Sequence, residues 1–268
     1  MLNENEKMKY PYYGYFDPTS ANSMVEMRYR QRISGFPVGI VYIDEINYPI
    51  VPGNVVSGFT YKYPVLCKPI DGLVPERLFD NDPTIADDVI RVAKEMIERD
   101  GIRCLSSACG FFGNYQQKVA DALDIPVGLS PMVMVPWIES MIKSSQKIGV
   151  LTANSEALEG NENLYRQCRI TDPDRLVIRG LRYEPHFSAV PQQRGFFDNN
   201  GVCDDVVRKA LEIVEECPDI GAIVLECSDM PPYSNAIQQA TQRPVFDFIT
   251  LINFMANSVM NPIYKGWI

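Results

Sequence analysis

The chain has 268 residues, a formal net charge of −9 and a pI near 4.8. An acidic balance of this size repels phosphate backbones and anionic membrane surfaces, which argues against nucleic-acid and lipid-surface binding. Hydrophobic residues at 46% support a packed core, a single histidine excludes histidine-rich metal sites, and no apolar run nears the ~18 residues of a membrane span.

Residues 1–36 set Tyr10, Tyr12, Tyr13, Tyr15 and Phe16 among charges without a clean period. They read as an N-terminal extension lying across the body or a neighbouring subunit, with no apolar signal segment. From Gly35 onward, short apolar runs alternate with longer amphipathic ones. The pattern predicts strands over 36–44, 102–108, 125–130, 147–154, 175–181, 220–227 and 243–248. Between them it predicts helices over 84–101, 114–124, 157–169, 203–219, 234–241 and 250–261, the first capped by Thr84 and stopped by Gly101. Strands without polar alternation, separated by helices, indicate an α/β fold with parallel sheets covered on both faces. The chain is expected in the cytoplasm, so its 7 cysteines read as thiols. Neither a G-x-G-x-x-G nor a G-x-x-x-x-G-K-[ST] motif occurs, and no Cys-x-x-Cys pair, so nucleotide and structural zinc sites are not expected.

Two segments match in register: IRCLSSACGFFGNYQQKVADALDIPV around Cys109 and GAIVLECSDMPPYSNAIQQATQRPV around Cys227. In each, an apolar strand runs into the cysteine, a tyrosine follows at +6 (Tyr115, Tyr233), an alanine at +13 (Ala122, Ala240), and Pro-Val at +17 and +18 (Pro126-Val127, Pro244-Val245). The strands VGIVYID and IGVLTAN pair as well. A duplicated βα unit puts each cysteine where a strand ends and a helix begins, the edge at which open parallel sheets bind ligands. Two such halves facing each other set Cys109 and Cys227 on opposite sides of one cleft.

Helix starts favour thiolates and bind carboxylates through unpaired N–H groups. A thiol on each face of a bound carboxylate suits removal of the α-proton on one side and its return on the other, with no cofactor required. The remaining cysteines, Cys67, Cys104, Cys168, Cys203 and Cys217, occupy no repeated corner and read as small buried hydrophobes. His186 reads as a loop histidine, and Asp44 and Glu45 as turn carboxylates at the ligand-bearing edge. Asp229 is either a substrate contact or a cap for the helix near Pro231. The stretch 130–141, with Met132, Met134, Trp137 and Met141, reads as interlobe or subunit packing.

The stretches GIVYIDEINYPIVPGNVVSGFTYKYPV, SSACGFF, IPVGLSPM, IGVLTAN and LECSDMPPYSNAI resemble the aspartate/glutamate racemase superfamily, from about Gly35 to the C-terminus. The resemblance implies two pseudo-symmetric α/β lobes with the active site in the interlobe cleft. It divides the chain into a first lobe, 37–137, and a second, 138–247, with a C-terminal helix (248–268) packing back onto the first. It implies Cys109 and Cys227 as the catalytic pair, and Asn54, Gly110, Phe111, Thr152, Asn154, Ser228 and Asp229 as substrate-binding residues, with Tyr48 a weaker candidate. The implied function is cofactor-independent racemisation or epimerisation of an aspartate/glutamate-like amino acid or related carboxylate. Two other reactions on the fold stay open, cis–trans isomerisation of a maleate-like diacid and decarboxylation of a malonate, as does carboxylate binding without turnover. The chain departs from the racemase pattern at Cys109-Gly110-Phe111, where Cys-Asn-Thr is typical, and at Cys227-Ser228-Asp229. The expected partners are a small carboxylate substrate and copies of the same chain, a dimer first.

Overall fold

The computed structural model describes residues 30–262, 264 and 266–268. The aromatic arm, up to residue 29, lies outside the described residues. The first half comprises β1 (Val38–Ile43), β2 (Val65–Ile70), α1 (Pro75–Phe79), α2 (Ile85–Glu95), β3 (Cys104–Ser107), α3 (Gln116–Asp121) and β4 (Val127–Gly128). Helix α4 (Val135–Met141) leads to the second half: β5 (Lys147–Thr152), α5 (Ser155–Leu158), α6 (Glu162–Gln167), β6 (Leu176–Gly180), α7 (Asn199–Glu216), β7 (Ile220–Leu225), α8 (Ser234–Thr241), β8 (Val245–Phe246) and α9 (Phe248–Val259).

The strands form two four-stranded sheets, β2-β1-β3-β4 and β6-β5-β7-β8, with every pairing parallel. The sequence repeat is therefore a repeat of winding: β1, β3 and β4 correspond to β5, β7 and β8. Strand β2 has no counterpart among the predicted strands. Its run VLCKPI contains Lys68 and Pro69, and a proline inside an apolar run argues against a strand. It forms because β2 is an edge strand, where a missing N–H can face outward without breaking the ladder.

Other boundaries shift for local reasons. Thr84 does not cap α2; its N–H and hydroxyl both bond Asp82 Oδ1, at 2.9 and 2.6 Å. The helix widens into a π turn at Met96–Asp100 before Gly101 stops it. The segment 157–169 splits into α5 and α6, because Asn154 and Asn161 each cap a helix, accepting from the Ala157 and Leu164 N–H groups.

Period-2 alternation in the central strands joins the halves. Ile148 and Val150 of β5 and Ala222 and Val224 of β7 pack into the core built around the first sheet. Leu151, Ile223 and Leu225 face the other way, onto Val206 and Ala210 of α7. Helix α9 follows the second sheet in the chain but packs on β3 and β4 of the first. Gly128 permits that approach: a Cβ there would lie 2.9 Å from Met255 Sδ. Among the described residues, no helix is long and apolar enough to cross a membrane.

Candidate active site

Because all strands in each sheet are parallel, the loops after β1, β3, β5 and β7 emerge at the carboxyl edges of the two sheets. These edges face each other. The Ser228 hydroxyl after β7 donates to the Ala108 carbonyl after β3 at 3.3 Å. Asn54 Nδ2 and Tyr48 Oη, both following β1, donate to Asp229 Oδ1 and Oδ2 at 2.6 and 3.2 Å. Further out, the Asn47 N–H donates to Gln193 Oε1 at 2.6 Å, and Gln193 Nε2 donates to the Glu45 carbonyl at 2.9 Å. These bonds hold the two lobes across a cavity of about 800 Å³, a volume suited to a small molecule.

Cys109 and Cys227 both line this cavity, together with Gly110, Phe111, Asn154, Ser228, Asp229 and Tyr48. Phe111 packs edge-to-face on Phe79, with ring centroids 4.9 Å apart. Among the described lining residues, four carry carboxyls (Glu45, Glu76, Glu226, Asp229) and one, Arg182, a guanidinium. Two sequence candidates lie behind the lining. Asn54 holds Asp229, and Thr152, fully buried, donates to Glu226 Oε2 at 2.7 Å. His186 and Asp44 are not among the described lining residues. The His186 N–H donates to Asp205, and Asp44 accepts from the Gly72 N–H in a turn. Asp229 is no helix cap; its oxygens are taken by Tyr48, Asn54 and the Cys227 thiol, the last at 3.6 Å.

The expectation that helix starts lower both thiols is overturned. Burial pushes the Cys109 thiol well above its ordinary range, and the neighbouring Glu226 adds to the effect; the Phe111 N–H opposes it. Burial likewise pushes Cys227 well up, with Asp229 and Glu226 adding to it. The helical turn after each cysteine is a short 3-10 segment, and one N–H does not outweigh desolvation plus nearby carboxyls. Asp229 is itself raised by burial, against hydrogen bonds from Tyr48, Cys227, Asn54 and Ser228. Cys227 and Asp229 thus form a hydrogen-bonded pair in which both groups disfavour charge. Such a pair can hold one proton between sulfur and oxygen.

Glu226 went unread in the sequence, although it stands beside Cys227. It is 1% exposed. A glutamate closing the otherwise apolar run IGAIVLEC was the available signal. Arg182, Tyr183 and the 190–193 segment were also unread, since nothing in a loop sequence shows which cleft it borders. Among the described residues, no group of three or more His, Cys, Asp or Glu is placed to hold a metal ion.

No protein-family model matches the chain. It is 30% identical over 231 residues to a dimethylsulfoniopropionate lyase from Durusdinium sp. clade D, covering 84% of this chain and 76% of that one. The chain belongs to the dimethylsulfoniopropionate lyase family. Dimethylsulfoniopropionate lyase 7 of Emiliania huxleyi is also 30% identical, over 245 residues, with 84% of this chain and 68% of the relative covered. Solved structures show the shared fold alone. A variant of arylmalonate decarboxylase matches with a TM-score of 0.55 at 15% identity, over 85% of this chain and 94% of that one. Glutamate racemase from Francisella tularensis in complex with D-glutamate matches with a TM-score of 0.55 at 14% identity, over 86% and 85%. The fold is thus that of the racemase-like proteins: α/β, with two lobes.

Membership of the dimethylsulfoniopropionate lyase family overturns the expected activity. The expected amino-acid racemase or epimerase, and the isomerase class with it, give way to relatives named as lyases. The physical reason is that the cysteine repeat places two thiols at one cleft without specifying the substrate they act on. Once the α-proton is removed, the fate of the carbanion depends on whether the substrate carries a leaving group, and the cysteines do not encode that.

Proposed function

We propose that this dimethylsulfoniopropionate lyase family member is itself such a lyase, cleaving its substrate by elimination. Dimethylsulfoniopropionate carries a carboxylate and, on the carbon β to it, a dimethylsulfonium group. Proton transfer from Cys227 to Asp229 leaves a thiolate, and Asp229 is the acceptor already hydrogen-bonded to that sulfur. The thiolate takes the proton from the α-carbon. The C–H electrons form the α–β double bond, and the β-carbon–sulfur bond breaks with its electrons leaving on sulfur. The products are acrylate and neutral dimethyl sulfide, with the proton on Cys227. Asp229 then returns its own proton to solvent.

The cavity lining supports a substrate carrying both charges. The turn Cys109–Phe111, Asn154, Ser228 and Arg182 suit the carboxylate end. Tyr48, Phe79 and Tyr183, with the carboxyls of Glu45 and Glu76, suit a soft cation. An elimination returns no proton to carbon, so the second thiol need not act as an acid on the opposite face. Cys109 here packs against the carboxylate end and shields it from water.

The hydrogen bond between Cys227 and Asp229 in a cavity of this family carries the reading. The test is release of dimethyl sulfide from dimethylsulfoniopropionate by the purified chain, with Cys227→Ser and Cys109→Ser alongside. Cys227→Ser should lose at least a thousandfold in kcat, and Cys109→Ser should retain turnover. A wild-type chain that releases no dimethyl sulfide removes the proposal.

A further inference from the structure

Glu226 borders the cavity, and its buried carboxyl, set against Gly110, has one oxygen without a partner. Oε2 accepts from Thr152. Oε1 is buried and without a hydrogen-bond partner. The group sits against the turn that follows β3: a Cβ built on Gly110 would overlap its Oε1 and Cδ. Glycine directly after Cys109 therefore makes room for this carboxyl, and Gly110 and Glu226 form a matched pair across the two lobes. An orphaned buried oxygen is costly unless it carries a proton or meets a ligand.

We infer that Glu226 is a carboxylate-binding residue of this site, held as the neutral acid and donating its proton in a hydrogen bond from Oε1 to one oxygen of the substrate carboxylate. The inference rests on the lyase reading for the identity of the substrate. The placement of the carboxyl stands without it. When the α-proton leaves, charge moves onto the carboxylate oxygens, and a neutral acid in a dry wall shares its proton with them more strongly than with the ground state. No atom is lost or gained by Glu226 across the cycle.

The surroundings favour the neutral form. Burial raises this carboxyl to about 7, against the hydrogen bond from Thr152 on β5. The titratable groups that feel its charge are Cys109 after β3, Cys168 at the end of α6 and the adjacent Cys227, and Asp229 lines the same cavity. All are thiols or a carboxyl raised by burial, so none supplies a positive charge to ionise it. Arg182 borders the same cavity.

The experiment uses propionate, which has the carboxylate and lacks the leaving group, and follows binding by calorimetry in two buffers of different ionisation enthalpy. Wild type should bind propionate about tenfold more weakly for each pH unit above about 7, taking up one proton per ligand there. Glu226→Gln, which keeps a donor but not a titrating group, should bind with no proton uptake and no break near that pH. Glu226→Leu should bind at least tenfold more weakly than wild type below about pH 7, with no break near that pH. Thr152→Val removes the bond that favours the charged form and should move the wild-type break to higher pH. Absence of proton uptake in wild type, absence of propionate binding, or a Glu226→Gln profile that still breaks near the same pH would each overturn the inference. Dimethyl sulfide release is scored separately, so a chain that binds propionate as described and releases none sinks the lyase reading alone.

Discussion

Asn54 Nδ2 donates to Asp229 Oδ1 across 2.6 Å, so a side chain from the first lobe fixes the carboxylate beside the thiol of the second. Neither residue is near the other in the chain, and the bond forms only when the lobes close on each other. It has two consequences, one for chemistry and one for stability.

A donor to Asp229 favours its charged form. Removing that donor in Asn54→Ala raises the Asp229 pKa further, in the direction burial already drives it. The ascending limb of dimethyl sulfide release should therefore move to higher pH. The same change leaves a buried carboxylate oxygen short of a partner, so thermal unfolding should show a loss of about 1–3 kcal/mol. An acid limb that stays in place or moves down would sever Asp229 from the chemistry.

Gly110→Ala forces a Cβ against the Glu226 carboxyl and its backbone carbonyl. Overpacking in a closed wall costs about 1–3 kcal/mol, and the variant should unfold at lower temperature and lose activity. Combining it with Glu226→Ala relieves the side-chain part of the clash. The double variant should then be more stable than the sum of the two single losses allows, as read by a double-mutant cycle in denaturant. Strict additivity would show that the two residues do not meet.

Glu226 ties stability to pH. Its folded-state carboxyl is raised from 4.5 to about 7, so the folded chain holds its proton more tightly than the unfolded chain. The stabilisation is full below about 4.5 and is lost as pH rises through about 7. A shift of this size corresponds to about 3 kcal/mol. Glu226→Gln lacks this dependence, so its stability relative to wild type should rise between pH 5 and pH 8. Parallel curves for the two proteins would place an ionised carboxylate in the wall.

Gln193 spans the cavity mouth, bonding both Asn47 and Glu45, and it does so at a φ of 52°. Gln193→Asn tolerates that backbone conformation yet is one methylene short of both bonds. The mouth should loosen, raising KM several-fold with little change in kcat. A fall in kcat with KM unchanged would instead make this amide part of the chemistry.

The α/β winding and the internal duplication were legible because a fully buried parallel strand needs a continuous apolar run, and such runs recur at fixed offsets around Cys109 and Cys227. β2 was not, because an edge strand has fewer buried positions and tolerates Lys68 and Pro69. The expected cap, Thr84, gives its hydroxyl to Asp82 instead, while Asn154 and Asn161, not read as caps, bond forward along the chain.

By itself the sequence determined the sheet architecture and the two strand-end cysteines, since both arise from local periodicity and short spacings. Only the tertiary structure decided what stands around them: Asp229 gripped by Asn54 and Tyr48, Glu226 filling the space Gly110 leaves, and two thiols raised where a helix start alone would lower them. Proton affinity depends on desolvation and on charges brought near by folding, and neither is a property of neighbouring residues in the chain.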